Sequence, residues 1–240
     1  MRKLVRAETL KLRKSASYWI LLSAAAVIGL FLGCFFLTSD DLAGGLDGFN
    51  QAMDAIQADT ILMSLFAAFF ISSEFSNRTI GAGIVGGHSR SKILLSKISV
   101  FFLGALPILL AIPFFITAVL TIVNGFGVPI TADVIAYLVR TVILYLLGGV
   151  AMAVCCALIA FIVRNVGGTI GVGVIFLIML FFFTLFKPLD SVTRFLFMWQ
   201  LTHITTLTAA DSFFSFGVVV ITILLITFIS AAVFRKADLK

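Results

Sequence analysis

Residues 74–97 read EFSNRTIGAGIVGGHSRSKILLSK, and they form a polar island between strongly apolar stretches. The island carries four basic residues, one acid and a cluster of glycines, whereas the chain as a whole is 61% hydrophobic. Only 12% of all residues are charged, about half the share of roughly 25% found in soluble domains. Apolar runs of about 20 residues recur on both sides of the island, as bilayer-spanning helices require. The sequence therefore predicts an all-α polytopic membrane protein.

Six apolar segments are predicted to cross the bilayer. They are residues 16–37, 52–73, 98–123, 134–163, 166–186 and 213–234. The second is the weakest, because only 14 uncharged residues separate Asp59 from Glu74, and its helix must extend outward past Asp59 and Asp54. The third contains Pro107 and Pro113, which are expected to kink it.

Charge placement supports this count and gives an orientation. Segments 1–15, 74–97, 164–165 and 235–240 hold 14 of the 17 Lys and Arg residues. These segments all fall on one side of the six-span topology, and 8 of the 11 acids fall on the other. Because Lys and Arg concentrate on the cytoplasmic side of membrane proteins, both termini and the island are predicted to be cytoplasmic.

Residues 1–15 are predicted to form an interfacial helix that leads into the first span. Arg2, Arg6 and Arg13 share one helical face, and an apolar arc interrupted by Glu8 lies opposite. The net charge of +6 is then explained by attraction to anionic lipid head groups. The lipid bilayer is the partner that this charge predicts, and no nucleic acid is needed.

The segment 187–212 is too polar to span, yet it contains the apolar run Phe195–Trp199. An extracellular loop carries such a run only if it enters the outer leaflet or packs on the helix bundle. The segment is therefore predicted to be a re-entrant-like extracellular loop.

Arg140 is the only ionisable side chain that the sequence places clearly within the membrane, where such groups are candidates for function. It lies about 10 Å along a helix from Asp133, at 1.5 Å per residue. The side chain can therefore snorkel outward or bond a carbonyl, or it can contact a substrate. Phe69 and Phe182 represent the abundant phenylalanines, which either pack against lipid and core or line an apolar path for an amphipathic cargo.

Catalytic motifs are missing from the sequence. No P-loop and no H-E-x-x-H motif is present. Gly81, Gly83 and Gly86 spell G-x-G-x-x-G, but membrane spans flank the motif in place of the βαβ unit that a dinucleotide site needs. The three cysteines lie in apolar spans, where packing explains them. The chain is predicted not to be an enzyme and to bind no metal or cofactor itself.

The island resembles the corresponding segment of the type-2 ATP-binding-cassette (ABC) exporter permeases. The resemblance rests on Glu74-Phe75, Arg78-Thr79-Ile80, Ser89-Arg90 and Lys97, and on the C-terminal run 234–239. Within that family, the resemblance points to the bacterial subunits for lantibiotic immunity and bacitracin resistance. The resemblance implies a type-2 ABC exporter transmembrane domain in the bacterial cell membrane.

The resemblance also implies a mechanism. Two permeases, either identical copies or paralogues, would pair, and each would dock on a separate nucleotide-binding ATPase subunit that holds ATP and Mg. The loop between the second and third spans would form the coupling helix. The residues assigned to ATPase contact in this way are Glu74, Arg78, Thr79, Ile80, Ile84, Val85, Ser89, Arg90 and Lys92.

The predicted function is therefore that of an exporter permease that moves a peptide antibiotic or another amphipathic compound outward. Two alternatives stay open. The chain could be a stand-alone immunity protein that binds a bacteriocin, or a secondary transporter, although the latter usually has central ionisable residues that this sequence does not reveal. The island could also be a basic loop that only fixes topology.

Overall fold

The structure, a computed structural model, describes residues 2–38, 44–77, 89–186 and 190–236. The regular elements among these residues are helices. They are α1 (Arg2–Lys14), α2 (Ala16–Phe36), α3 (Gly45–Asp54), α4 (Ile56–Ala67), a π-helical turn (Ala68–Ser72), α5 (Ser73–Ser76), α6 (Arg90–Asn124), α7 (Ala132–Val163), α8 (Val166–Thr184), α9 (Asp190–Thr193), α10 (Phe197–Thr202) and α11 (Ala209–Lys236).

Six helical stretches are long and apolar enough to cross a membrane. They are α2, the continuous stretch from α4 to α5, α6, α7, α8 and α11. The prediction of an all-α protein with six transmembrane helices is therefore confirmed. The separate helix α1 meets α2 at Ser15, whose hydroxyl accepts a hydrogen bond from the backbone N–H of Tyr18 and so caps the first span.

Three helices begin four or more residues away from the predicted span starts. Helix α4 begins at Ile56, not at residue 52, because the helix is interrupted at Ala55 and residues 45–54 form the separate helix α3. Helix α6 begins at Arg90, eight residues before the predicted start of the third span, and α11 begins at Ala209, four residues before that of the sixth. Within the predicted loop 74–97, residues 74–76 and 90–97 are helical, and we call residues 77–89, which join α5 to α6, the connection.

Helix α7 lies at the centre of the bundle and contacts α4, α6, α8, α10 and α11. Two-thirds of its span, 67%, is buried, whereas the corresponding figure for α11 is 11%. Its buried stretch includes Tyr145, Cys155 and Cys156. Helices α2, α8 and α11 lie at the periphery and expose apolar side chains such as Phe31, Ile175 and Phe228. These exposed faces suit contact with lipid.

The segment 190–208 packs on the central helix. Phe197, Met198 and Leu201 are buried, and the Leu201 side chain lies against Gly148 of α7. Trp199 stacks on His203 with ring centroids 4.2 Å apart. Contact with α7 thus accounts for the apolar run inside an otherwise polar segment.

The pair Gly29 and Gly33 allows α2 to approach α6 closely. A Cβ atom at Gly29 would lie 2.9 Å from the carbonyl oxygen of Ile112 and 3.0 Å from its Cα. Those are backbone atoms, so a change of rotamer cannot relieve the clash. At Gly171, on the exposed side of α8, a Cβ atom would have no neighbour within 4 Å.

We expect Gly29→Ala to destabilise the fold by about 1–3 kcal/mol, because the added methyl forces two backbones apart. The matched control, Gly171→Ala, should leave stability unchanged or raise it by up to about 1 kcal/mol through helix propensity. Thermal unfolding of both purified variants in detergent measures the difference. Equal unfolding temperatures would contradict the close contact between α2 and α6.

Candidate functional site

Four charged side chains meet beside α5 and the first turns of α6, the two helices that flank the connection 77–89. We call Glu8, Lys11, Glu74 and Lys97 the charge cluster. Lys97 Nζ lies 3.1 Å from Glu8 Oε2 and 2.8 Å from Glu74 Oε2. Lys11 Nζ lies 2.8 Å from Glu8 Oε1 and 3.2 Å from Glu74 Oε1. Each carboxylate therefore bridges both ammonium groups, and the cluster has no net charge.

Lys97 is the buried member of the cluster. Only 1% of its side chain is exposed, compared with 54% for Lys11. Its ammonium group also lies 4.7 Å from the centroid of the Phe70 ring, in cation–π contact. A charge in such a position is tolerated only when opposite charges and hydrogen bonds replace its hydration. Glu8 and Glu74 provide both.

The cluster joins three helices that are distant in sequence. Glu8 lies on α1, Glu74 on α5 and Lys97 on α6. Glu8 and Leu12, one turn apart, are the buried residues of α1, and they place that face of the helix against α6. The indole N–H of Trp19 donates to the carbonyl oxygen of Arg13 and ties the end of α1 to α2. Glu8, which interrupts the apolar arc in the sequence, thus forms the inward contact of α1.

Electrostatics stabilise the ionised form of the cluster. Burial by itself would raise the pKa of the Glu8 carboxyl, but Lys97 and Lys11 outweigh that effect, and the pKa lies below its ordinary value of 4.5. For Lys11 burial acts to lower the pKa, yet contact with Glu8 and Glu74 leaves it above the ordinary value. Glu8 and Lys11 therefore both remain charged at neutral pH.

A triangle of aromatic rings closes the same end of the bundle. Phe75 of α5, Phe161 of α7 and Phe234 of α11 lie with ring centroids 5.5 to 6.3 Å apart, all in edge-on contact. The Arg164 guanidinium lies 5.9 Å from the Phe75 ring. The helix ends that flank the connection 77–89 are therefore fixed to α7 and α11 as well as to α1.

The structure describes four of the nine residues that the resemblance assigns to ATPase contact. Glu74 lies in the charge cluster, Ser89 is the exposed residue before α6, Arg90 begins α6 and Lys92 is exposed in its first turn. The others, Arg78, Thr79, Ile80, Ile84 and Val85, lie outside the described residues.

Sequence reasoning missed the partners of Glu74. From the sequence, Lys97 is interpreted only as the residue that leads into the third span. Glu8 is interpreted only as a charged residue that interrupts the apolar face of an amphipathic helix. The available signal was that each is an isolated charge within an apolar arc, which requires an opposite charge somewhere in the fold. A single sequence does not show that the two charges belong together.

Arg140 lies on α7 near the opposite end of the bundle. Its Nη2 donates to the carbonyl oxygen of Leu207 at 3.1 Å, and its guanidinium lies 5.5 Å from the Tyr137 ring. Phe69 and Phe182 lie on other helices, with 40% and 55% of their surface exposed. No contact joins these three candidates in the part of the chain that the structure describes.

Arg140 is joined by three other ionisable residues in helices that are long and apolar enough to cross a membrane. Glu74 and Lys97 lie within helices that can cross the membrane, and so does Asp59. Asp59 is fully buried in α4 and accepts a hydrogen bond from the hydroxyl of Tyr145 on α7. Asp59 counts among the outer acids by charge placement, although the predicted span 52–73 includes it. The hydrogen bond from the buried Tyr145 accounts for its burial within the helix bundle.

We expect Lys97→Met to destabilise the protein by about 3–5 kcal/mol, because it leaves two largely buried carboxylates with too little positive charge. Lys11→Met removes the same charge from a half-exposed position and should cost about 1 kcal/mol or less. Thermal unfolding in detergent compares the two variants. A loss for Lys11→Met as large as that for Lys97→Met would show that burial does not decide the strength of the cluster.

The lowered pKa of Glu8 predicts sensitivity to acid. Its contribution to stability should be fully present above the ordinary pKa of 4.5 and be lost as the pH falls through the lower pKa of the folded state. In Glu8→Gln the unfolding temperature should therefore be lower at neutral pH and fall less steeply on acidification. Unfolding curves from about pH 3 to pH 6 test this. Parallel pH dependence in both proteins would exclude Glu8 as the titrating group.

Comparison with known protein families identifies the architecture. The family model described as ABC-2 family transporter protein matches residues 4–184, which include most of α1, the whole charge cluster and five of the six spans. No individually characterised protein is significantly similar to the chain in sequence. The chain therefore belongs to the ABC-2 family of transporter proteins and is a multi-pass permease component of an ABC transporter.

Proposed function

We propose that this permease is the membrane subunit of an ATP-driven exporter and that the connection 77–89 couples it to a separate ATPase subunit. Family membership implies association with an ABC ATPase and with the membrane. ATP and Mg would be bound by that partner. The export direction, the pairing with a second permease copy or paralogue and the cytoplasmic location of the termini are parts of this proposal.

The charge cluster is the observation that supports the coupling role. Glu74 lies three residues before the connection and Lys97 eight residues after it, and their side chains form an ion pair of 2.8 Å. The two helices that emerge from the connection are therefore fastened to each other at its base. A force applied to residues 77–89 by a moving ATPase would reach α5 and α6 together, and α1 through Glu8.

The chemistry of a cavity supports an amphipathic cargo. A cavity of about 570 Å³ lies between α3, α6 and α7, and its lining is almost wholly apolar. Phe49 and Met53 contribute from α3, and Pro107, Pro113 and Phe114 from α6. Its volume lies within the range of about 300–1,000 Å³ that is typical of small-molecule sites. We place the apolar part of a peptide antibiotic or similar compound here and keep Arg140, Phe69 and Phe182 as candidates for its path.

We expect the double variant Arg78→Glu with Arg90→Glu to uncouple the transporter, because it reverses two charges that would face acids on the ATPase. Substrate-stimulated ATP hydrolysis should be lost, and recovery of the ATPase with the tagged permease should fall about tenfold or more. Arg6→Glu with Arg13→Glu is the matched control, since it makes the same charge change on exposed positions of α1. The control should retain both activities.

The outcomes separate the alternatives. If an ATPase co-purifies equally with both variants, the protein still works as an ABC transporter, but residues 78 and 90 do not form the contact with the ATPase. A chain recovered with a secreted peptide and without an ATPase would favour the stand-alone immunity protein. Transport that persists without any ATPase would favour a secondary transporter, for which Asp59 supplies a buried acid.

A further inference from the structure

A groove lies between the first turns of α7 and α11. Its volume is about 870 Å³ and its lining is almost entirely apolar. From α7 it is lined by Ala132, Ile135, Ala136, Val139, Arg140, Ile143 and Leu144, and from α11 by Ala209, Ser212, Phe213 and Phe216. Each set repeats at intervals of three and four residues, so each helix presents one continuous face to the groove.

The groove faces the region that the bilayer occupies. Its walls are exposed: 53% of Val139, 48% of Ile143 and 82% of Phe213 are accessible, and all three residues lie within candidate membrane spans. The face of α7 from Ala132 to Leu144 is about 18 Å long at 1.5 Å per residue. Half of a hydrocarbon core is about 15 Å thick. The groove therefore matches one leaflet in depth as well as in polarity.

Among the residues that the structure describes, Arg140 is the one charged side chain of the groove lining. Side chains on a helix tilt towards its N-terminus, so the guanidinium points from Arg140 to the open end of the groove, as its contacts with Tyr137 and Leu207 show. Within the described part of the chain it forms no ion pair, and the bond to Leu207 is its one described hydrogen bond. Most of its five N–H donors are thus available to an anion.

The mouth of the groove carries further features that bear on a ligand. Ala132 and Ala209 are the first residues of α7 and α11, so two helix N-termini, which favour negative charge, meet there beside Arg140. The acids nearby, Asp133 and Asp211, do not line the groove. Asp211 accepts a hydrogen bond from the Thr208 hydroxyl and lines a separate polar pocket with Arg194 on the other side of α11.

We propose that the groove between α7 and α11 binds a single phospholipid, with the phosphate on Arg140 and an acyl chain against the apolar walls. An apolar groove open to the bilayer is filled by lipid chains in any case. The free donors of a guanidinium at the depth of the head groups select a lipid that carries a phosphate. This site is independent of the coupling mechanism.

Native mass spectrometry of the purified permease tests the proposal, with phosphatidylglycerol as the probe and diacylglycerol of the same chains as the phosphate-free comparison. The wild-type chain should retain one phosphatidylglycerol and no diacylglycerol. Arg140→Gln should weaken phosphatidylglycerol retention about tenfold, as expected for loss of a charge-assisted hydrogen bond. Arg194→Gln, a matched change in the neighbouring pocket, should have no effect.

A second variant keeps the test valid if Arg140→Gln folds poorly. Ala136→Phe fills the groove and leaves every charge in place, so it should abolish retention while Arg140 remains. Unchanged retention in both variants, equal retention of diacylglycerol by the wild-type chain, or an equal loss in Arg194→Gln would each overturn the proposal.

A second permease copy is the competing occupant of the groove. Val139→Cys, in a chain in which Cys34 is replaced by Ser, reports on it, because a copy seated on this face would bring the two introduced thiols together. Disulfide-linked dimers in native membranes would show that protein covers the groove and would overturn the lipid proposal. Monomers that bind phosphatidylglycerol through Arg140 would support it.

Discussion

The position of Lys97 constrains the rest of this bundle. An ammonium group with 1% of its side chain exposed, on a helix that can cross the membrane, cannot persist without opposite charge in contact with it. Glu8 and Glu74 meet that requirement from α1 and α5, and Lys11 balances the charge that they bring. Helix α1 is consequently not held by the membrane surface alone, because its buried face completes the coordination of a cation on α6. The ends of α1, α5 and α6 cannot move apart without breaking an ion pair in a region where water is scarce.

Because the buried Lys97 needs opposite charges in contact with it, the helices are held together more firmly at one end of the molecule than at the other. At the end that bears the connection 77–89, the charge cluster and the triangle of Phe75, Phe161 and Phe234 fix α1, α5, α6, α7 and α11 to one another. At the other end, an open apolar cavity lies beside Pro107 and Pro113, and an apolar groove lies between α7 and α11. Each proline removes one backbone hydrogen bond from α6. In the proposed exporter, this division would keep the end that receives the force rigid and let the end that releases the cargo yield.

Hydropathy and charge bias predicted the six spans and the all-α class because those features depend on composition over about 20 residues. The start of α6 was not predictable in this way, since the stretch from Arg90 to Lys97 contains several polar residues and its Lys97 is stabilised by partners 23 and 89 residues away. Asp59 shows the same effect, because Tyr145, its partner, is 86 residues distant. A sequence pattern of period 3.6 describes the faces of one helix at a time. The buried charges of this fold are explained only by contacts between residues on different helices. The coupling residues had to come from a resemblance, and five of them lie outside the described residues.

The two cations Lys97 and Arg140 show opposite solutions to one physical problem. Lys97 lies deep in protein, where lipid cannot reach it, and two carboxylates of the chain neutralise it. Arg140 lies in a groove that is open to the bilayer, and the described chain offers it a carbonyl oxygen and an aromatic face but no carboxylate. A planar guanidinium binds phosphate through parallel hydrogen bonds, which an ammonium does not. Arg at position 140 therefore fits a phosphate anion from the membrane. Lys at position 97 fits the two carboxylates of the protein. The counter-ion of Arg140 is then a phospholipid, and the groove beside it holds the chain of that lipid.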